Sequence, residues 1–264
     1  MQSSSVARAA EIVVTNRLAG TPLGLLPDDC RPATEEDGYR VQREVHRLLA
    51  ERGRGGLTGY KIGCTTTVMQ QFLKTDHPCA GGILASSVSI GSGEFALADF
   101  VRVGVECEIA VMLGHDLSPD HAPFSPTGVA AAVSSCRMAI EVVDNRYTDF
   151  TVLGLPTMIA DDFFAANCVL GADTPGFDPR DMIEVTGTLE INGEHVGQGQ
   201  GRDILDDPLA ALAWLANRLA QEGGVLYAGQ FVLLGSIVRT VWLDSSSEVV
   251  VASAPLGSVS ASFG

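Results

Sequence analysis

Apolar residues recur at helical spacing in two stretches at the front of the chain, then give way to short alternating or β-branched runs over most of the remainder. Val6, Ala9, Ala10, Val13, Val14 and Leu18 form one helical stripe, which Gly20 and Pro22 end. A second stripe, Tyr39, Val41, Val45, Leu48 and Leu49, stops at Arg54-Gly55-Gly56. Thr34 precedes it as an N-cap, with Glu35, Glu36 and Asp37 complementing the positive end of the helix. From Gly56 the period shortens. Leu57–Gly63 is a β-type run between glycines, followed by a short predicted helix over Thr67–Leu73, and Ile83–Ile90 and Phe100–Val105 read as strands.

The small, Ala-rich stretch Thr127–Ser135 predicts a helix running into a strand over Cys136–Val143. Asp181–Ile191 partly alternates apolar and polar residues, and Asn192-Gly193 is a strong hairpin signal. Asp207-Pro208 opens an amphipathic helix over Leu209–Gln221 with Trp214 toward the core, closed by Gly223-Gly224. Phe231–Leu234, Val238–Trp242 and Glu248–Val251 return to strand. Strands in runs, with helices at the front and in connections, predict an α+β fold with a mostly antiparallel or mixed sheet and disfavour a doubly wound one. The expected organisation is a single domain over 1–264, mainly helical over 1–80 and β-rich over 81–264.

Of the 264 residues 46% are hydrophobic and 19% charged, which excludes a disordered tail or a coiled coil. Acidic residues outnumber basic ones 32 to 17, giving −15, the wrong sign for nucleic acid or an anionic membrane. The six cysteines are scattered without a CxxC pair, and no signal peptide or membrane-length apolar run is seen, so a reduced, soluble, cytoplasmic protein is expected. The acidic excess also offers oxygen ligands to hard divalent cations. Only Lys61 and Lys74 are lysines, so each has to be read individually.

Candidate chemistry concentrates in Val103–Leu113, where a strand would place Glu106 and Glu108 on one face and Val105, Cys107, Ile109 and Val111 on the other. Two carboxylates side by side in a poorly solvated place are unfavourable unless a cation sits between them. Glu141 interrupts the apolar run Ala139–Val143 in the same manner. Three strand carboxylates suit an octahedral Mg²⁺ or Mn²⁺ with positions left open for substrate, and no histidine spacing offers zinc. Lys61 lies mid-strand between glycines, and burial near such a cluster would push its pKa down, suiting proton transfer. His77 is the one histidine retained as a candidate. Gly197–Gly201 lacks the features of a phosphate-binding loop, and there is no nucleophile elbow.

The segments GYKIG, VECEIAVML, AIEVVDNRY, the NGE hairpin, DPLAALAWLANRL and AGQFVLLGSIV together resemble the 2-keto-4-pentenoate hydratase and 4-oxalocrotonate decarboxylase family, within the fumarylacetoacetate hydrolase-like superfamily. The resemblance implies a mixed β-roll core with N-terminal and peripheral helices, a homo-oligomer, pairing with a related enzyme of the same pathway, and a Mg²⁺ or Mn²⁺ site. Carried over by position, Glu106, Glu108 and Glu141 match the metal-binding carboxylates and Lys61 the active-site lysine. Asp76 matches the acid opening the following loop, Asp161 an acid kept from an Ala-Asp-Asn signature, and Ser236 a hydroxyl near the substrate. The chain departs from the pattern at Cys79, Thr151 and Asp162, where the family usually has an acid, a lysine and an amide.

The implied reaction is metal-dependent addition of water to a 2-hydroxy-2,4-dienoate or its 2-oxo-enoate form, giving a 4-hydroxy-2-oxo acid as in aromatic catabolism. Lys61 is the candidate for proton transfer, with Asp76, His77 or Asp161 as helpers. Alternatives are decarboxylation of a 4-oxalocrotonate-like 2-oxo acid, carbon–carbon hydrolysis of an acylpyruvate, and a catalytically inactive partner subunit. Loss of a lysine at Thr151 and gain of an acid at Asp162 predict a substrate tail that is not a second carboxylate.

Overall fold

The computed structural model describes residues 1–264. Six α-helices, α1 Ser3–Ala19, α2 Glu35–Leu49, α3 Thr67–Leu73, α4 Pro126–Ala130, α5 Leu155–Ala160 and α6 Pro208–Ala220, accompany thirteen strands. The strands are β1 Leu57–Gly63, β2 Cys79–Leu84, β3 Val88–Ile90, β4 Ser92–Phe95, β5 Val103–Leu113, β6 Val133–Asp144, β7 Ala165–Leu170, β8 Thr186–Ile191, β9 Glu194–Gln200, β10 Phe231–Ser236, β11 Val241–Trp242, β12 Ser247–Ser253 and β13 Gly257–Phe263. α1 ends where Gly20 turns left-handed (φ 62°), its N–H returning to the carbonyls of Arg17 and Asn16. α2 begins where the Thr34 hydroxyl accepts the Asp37 N–H.

The larger sheet runs β2-β1-β10-β5-β6-β7-β3, with β11 also pairing β5. It is mixed: β1 is parallel to β10 and β3 to β7, and the other pairs are antiparallel. β2 packs against β7, so the sheet curls round into a roll. The alternation of β5 then separates inside from outside. Val105, Cys107, Ile109 and Val111 join the main core of 60 buried residues. Ala110 instead joins a separate group of seven, with Ile83, Ala139, Cys168, Leu170, Phe231 and Leu233, that fills the roll's interior. Glu106 and Glu108 share Ala110's face, so they project inward beside this apolar filling. A second sheet, β4-β13-β12-β8-β9, packs on β6 from outside.

The architecture is the expected α+β one with a mixed β-roll, and it differs from the sequence pattern at several joints. The predicted helix Thr127–Ser135 is only α4, because Val133–Ser135 already pair with β5. Ile83–Ile90 is broken at Ala85–Ser87, so β2 pairs β1 while β3 crosses to β7. Phe100–Arg102 is not strand, since the Asp144 carboxylate takes the N–H groups of Val101 and Arg102. Pro179–Glu184 winds into a 3₁₀ turn before β8, and only Val241–Trp242 of the last predicted run but one is strand. The β8–β9 hairpin turns at Asn192 and Gly193, both at positive φ, as that dipeptide favours.

Candidate active site

Glu106 and Glu141 face each other across the β5–β6 ladder, and Glu108 follows on the same inward face. One carboxylate oxygen from each lies within 4.8 Å of the others. Glu108 and Glu141 are each 1% exposed, and Lys61, from β1, is 3% exposed with Nζ 3.0 Å from Glu141 Oε1. Glu108 accepts the Gly235 N–H at 2.7 Å. A side chain at Gly235 would strain that backbone (φ 132°) and meet Thr65 Oγ1 at 2.6 Å, which is why a glycine precedes Ser236. Glu106 accepts the Thr240 hydroxyl. Glu141 Oε1 faces the Lys61 ammonium, and its buried Oε2 has no partner.

Three carboxylates this close, two of them out of water and one with a buried unpartnered oxygen, form an incomplete set of hard oxygen donors that a divalent cation would satisfy. Burial pushes the Glu108 carboxyl well above its ordinary range, and the charges of Glu141 and Glu106 push it further. Glu141 is raised to about 7, by burial first and then by Glu106, against the opposing charge of Lys61. The expected downward shift of Lys61 is reversed. Burial does work against its charge, but Glu141 and Glu106 outweigh it and hold the ammonium above its ordinary value.

The other candidates are not gathered at this cluster. Asp76 is exposed and neither ion-paired nor hydrogen-bonded to it. The His77 ring stacks on Trp214 with centroids 6.4 Å apart, and its Nε2 lies 3.4 Å from Glu35, in a groove between α2 and α6. Asp161 is fully buried but faces Arg17 and Arg146, with Arg146 Nε 2.8 Å away. Ser236 sits opposite Glu108 in the sheet, yet its hydroxyl donates to the Val238 carbonyl at 2.6 Å. Cys79 is buried with Sγ 3.6 Å from that of Cys64, and burial raises its thiol pKa.

Asp162 removes the charge argument about the substrate tail. It is 1% exposed, with Arg17 Nη2 at 2.8 Å, His46 Nε2 at 2.7 Å and the Gly82 N–H at 2.8 Å. Burial disfavours its charge, but His46 and Arg17 override this and hold it well below the carboxylate range. A charge so neutralised repels nothing in a substrate site. Thr151 donates its hydroxyl to Asp149 on an exposed turn. A cleft of about 530 Å³ reaches Glu141 between β2 and β7, lined also by Arg17, Arg54, Arg146 and Asn167. Thr240, Arg17, His46 and Arg146 carried no sequence signal, because each acts through a partner more than a hundred residues away or on a different element.

No family model matches the chain. It is 31% identical over 261 residues to a 2-keto-4-pentenoate hydratase of Burkholderia vietnamiensis, covering 98% of both chains. It superposes on 4-oxalocrotonate decarboxylase from Pseudomonas putida, complexed with magnesium and adipate, with TM-score 0.92 and 26% identity over 100% of this chain and 99% of that one. A fumarylacetoacetate hydrolase family protein from Yersinia pestis shares the fold, with TM-score 0.61 and 20% identity over 78% of this chain and 92% of that one.

Proposed function

The chain belongs to the family of 2-keto-4-pentenoate hydratases and 4-oxalocrotonate decarboxylases, and from that premise we propose that it adds water to a 2-hydroxy-2,4-dienoate, giving a 4-hydroxy-2-oxo acid. The observation that carries this is the convergence of Glu106, Glu108 and Glu141 within 4.8 Å, with the Lys61 ammonium 3.0 Å from Glu141. Glu106, Glu108 and Glu141 would hold Mg²⁺ or Mn²⁺. When bound, such an ion supplies Lewis-acid polarisation of the 2-oxo acid.

The chain's own residues do the rest. The closed apolar filling beside the carboxylates, with Leu233 and Ala110 fully buried, keeps bulk water from that end of the roll, so the substrate enters through the cleft that reaches Glu141. Lys61, held as an ammonium by its carboxylate neighbours, is the candidate donor of the proton that C5 gains as the dienol becomes a 2-oxo-3-enoate, and a cation drawing on those carboxylates would bring its pKa back down toward the range that suits transfer. The proton leaving the C2 hydroxyl restores the Nζ ammonium; water then adds at C4, and Nζ, as the candidate donor of the proton that C3 receives, regains one from that water. The Gly235 N–H and the Thr240 hydroxyl fix the orientation of Glu108 and Glu106 while these transfers occur. The partners implied are a small 2-oxo acid and further copies of the chain.

Decarboxylation is a second reading, favoured by the whole-chain superposition on 4-oxalocrotonate decarboxylase. Incubation of the protein and Mg²⁺ with 2-hydroxypenta-2,4-dienoate and with 4-oxalocrotonate, followed by ¹H NMR and CO₂ detection, separates the two. A 4-hydroxy-2-oxo acid supports hydration, CO₂ release selects decarboxylation, and turnover of neither substrate overturns both.

A further inference from the structure

Asp162, Phe163 and Phe164 all adopt positive φ, at 55°, 49° and 68°. Three consecutive non-glycine residues in the left-handed region form an unfavourable backbone that persists only where its surroundings hold it, and such strain concentrates at functional sites. The hold here is explicit. Arg17, His46 and the Gly82 N–H grip the Asp162 carboxylate. The Phe163 N–H donates to the Met158 carbonyl at 2.8 Å, and the Phe164 ring is wedged edge-on against Phe163 and Tyr147.

The result of this turn is the placement of one ring. Phe163 is 5% exposed, and the face of its ring lies 5.2 Å from Lys61 Nζ. To reach it the ring crosses Gly63, two residues along β1, where a Cβ would fall 2.7 Å from the ring. The Lys61 ammonium is therefore bracketed by the Glu141 carboxylate at 3.0 Å and the negative face of an aromatic ring. A ring that merely filled the core would not need a left-handed turn, a buried ion-pair anchor and a glycine opposite it.

We propose that Phe163 is a positioning residue for Lys61: the left-handed turn Asp162–Phe164 presses its ring onto the ammonium, fixing the direction in which Nζ meets the substrate. The inference rests on the reading of Lys61 as the proton-transfer group.

The chain has only two lysines, and Lys74 is exposed on the turn after α3, so lysine-specific ¹³C labelling gives one test signal and one internal reference. In the Mg²⁺-loaded protein the εCH₂ protons of Lys61 should lie upfield of those of Lys74 because of the ring current of Phe163. In Phe163→Leu that displacement should vanish, while kcat for 2-hydroxypenta-2,4-dienoate falls about 3- to 30-fold, the range that a cation–π contact corresponds to, with KM little changed. Trifluorophenylalanine at position 163 keeps the ring's shape but drains its face of electron density, so it should lower kcat although packing is preserved. An unchanged Lys61 signal in Phe163→Leu would overturn the contact, and full kcat in both Phe163 variants would overturn its role. Undiminished turnover in Lys61→Met, by contrast, would overturn the reading of Lys61 itself, leaving the NMR result to stand or fall separately.

Discussion

The raised carboxyls of the site make the stability of the protein in EDTA fall with pH, opposite to the rise that ordinary ion-paired acids give. The perturbation is a change from pH 5 to pH 8 in EDTA. Glu141 titrates near 7 in the folded chain against 4.5 in a free carboxyl. Between those values the unfolded chain has released a proton that the folded chain still holds, so folding stability declines through this window and levels off above it. A displacement from 4.5 to about 7 corresponds to about 3 kcal/mol from Glu141 alone. Glu108 is shifted in the same direction and adds to the slope. Lys61 contributes nothing to it, because a raised ammonium keeps its stabilising effect until pH exceeds its unfolded value. Nor does Asp162, whose depressed carboxyl is ionised in both states above pH 5.

For a chain of this size about 3 kcal/mol is a change in Tm on the order of 10 °C. Thermal melts in EDTA at pH 5, 6, 7 and 8, repeated with excess Mg²⁺, read it directly. The expected outcome is a falling Tm in EDTA and a Tm in Mg²⁺ that no longer falls, because a bound cation takes over from the protons. A Tm in EDTA that is flat or rises over this range would refute the electrostatic account of the cluster.

Asp162→Asn keeps the shape but takes the carboxylate from the half-buried His46 and leaves Arg17 paired with Asp161 alone, so it should destabilise the fold by about 3 kcal/mol in urea denaturation, the lower end for a broken buried ion pair. Gly235→Ala strains φ 132° and collides with Thr65, which should displace the N–H that holds Glu108 and weaken Mn²⁺ binding in an EPR titration. His77→Ala should leave kcat for 2-hydroxypenta-2,4-dienoate within about two-fold of wild type, since the ring sits on Trp214 rather than at the carboxylates.

The carboxylate cluster was legible because strand alternation and ladder register are short-range facts. The spacing of Glu106 and Glu108 fixes their common face, and Glu141 is conspicuous as an acid inside an apolar run. The sense of the Lys61 shift was not legible, because it is a balance between burial and the charges of two other strands. Asp162 looked like a charge added to the substrate site, and only the fold shows it enclosed by Arg17 and His46 from the two N-terminal helices. The break after Leu84 and the shortness of α4 have the same origin. Local propensity favoured continuation, whereas pairing to β5 and β7 set the limits. Phe163 has no signature at all, since its role depends on a left-handed turn that aromatic residues rarely adopt.

The account stands most directly on parallel Mn²⁺ EPR titration and turnover of 2-hydroxypenta-2,4-dienoate by wild type, Glu106→Ala and Glu108→Ala. It predicts one Mn²⁺ per wild-type chain with cation-dependent turnover, and loss of both in each variant. Turnover that persists in either variant, or in wild type stripped of divalent cations, would contradict it.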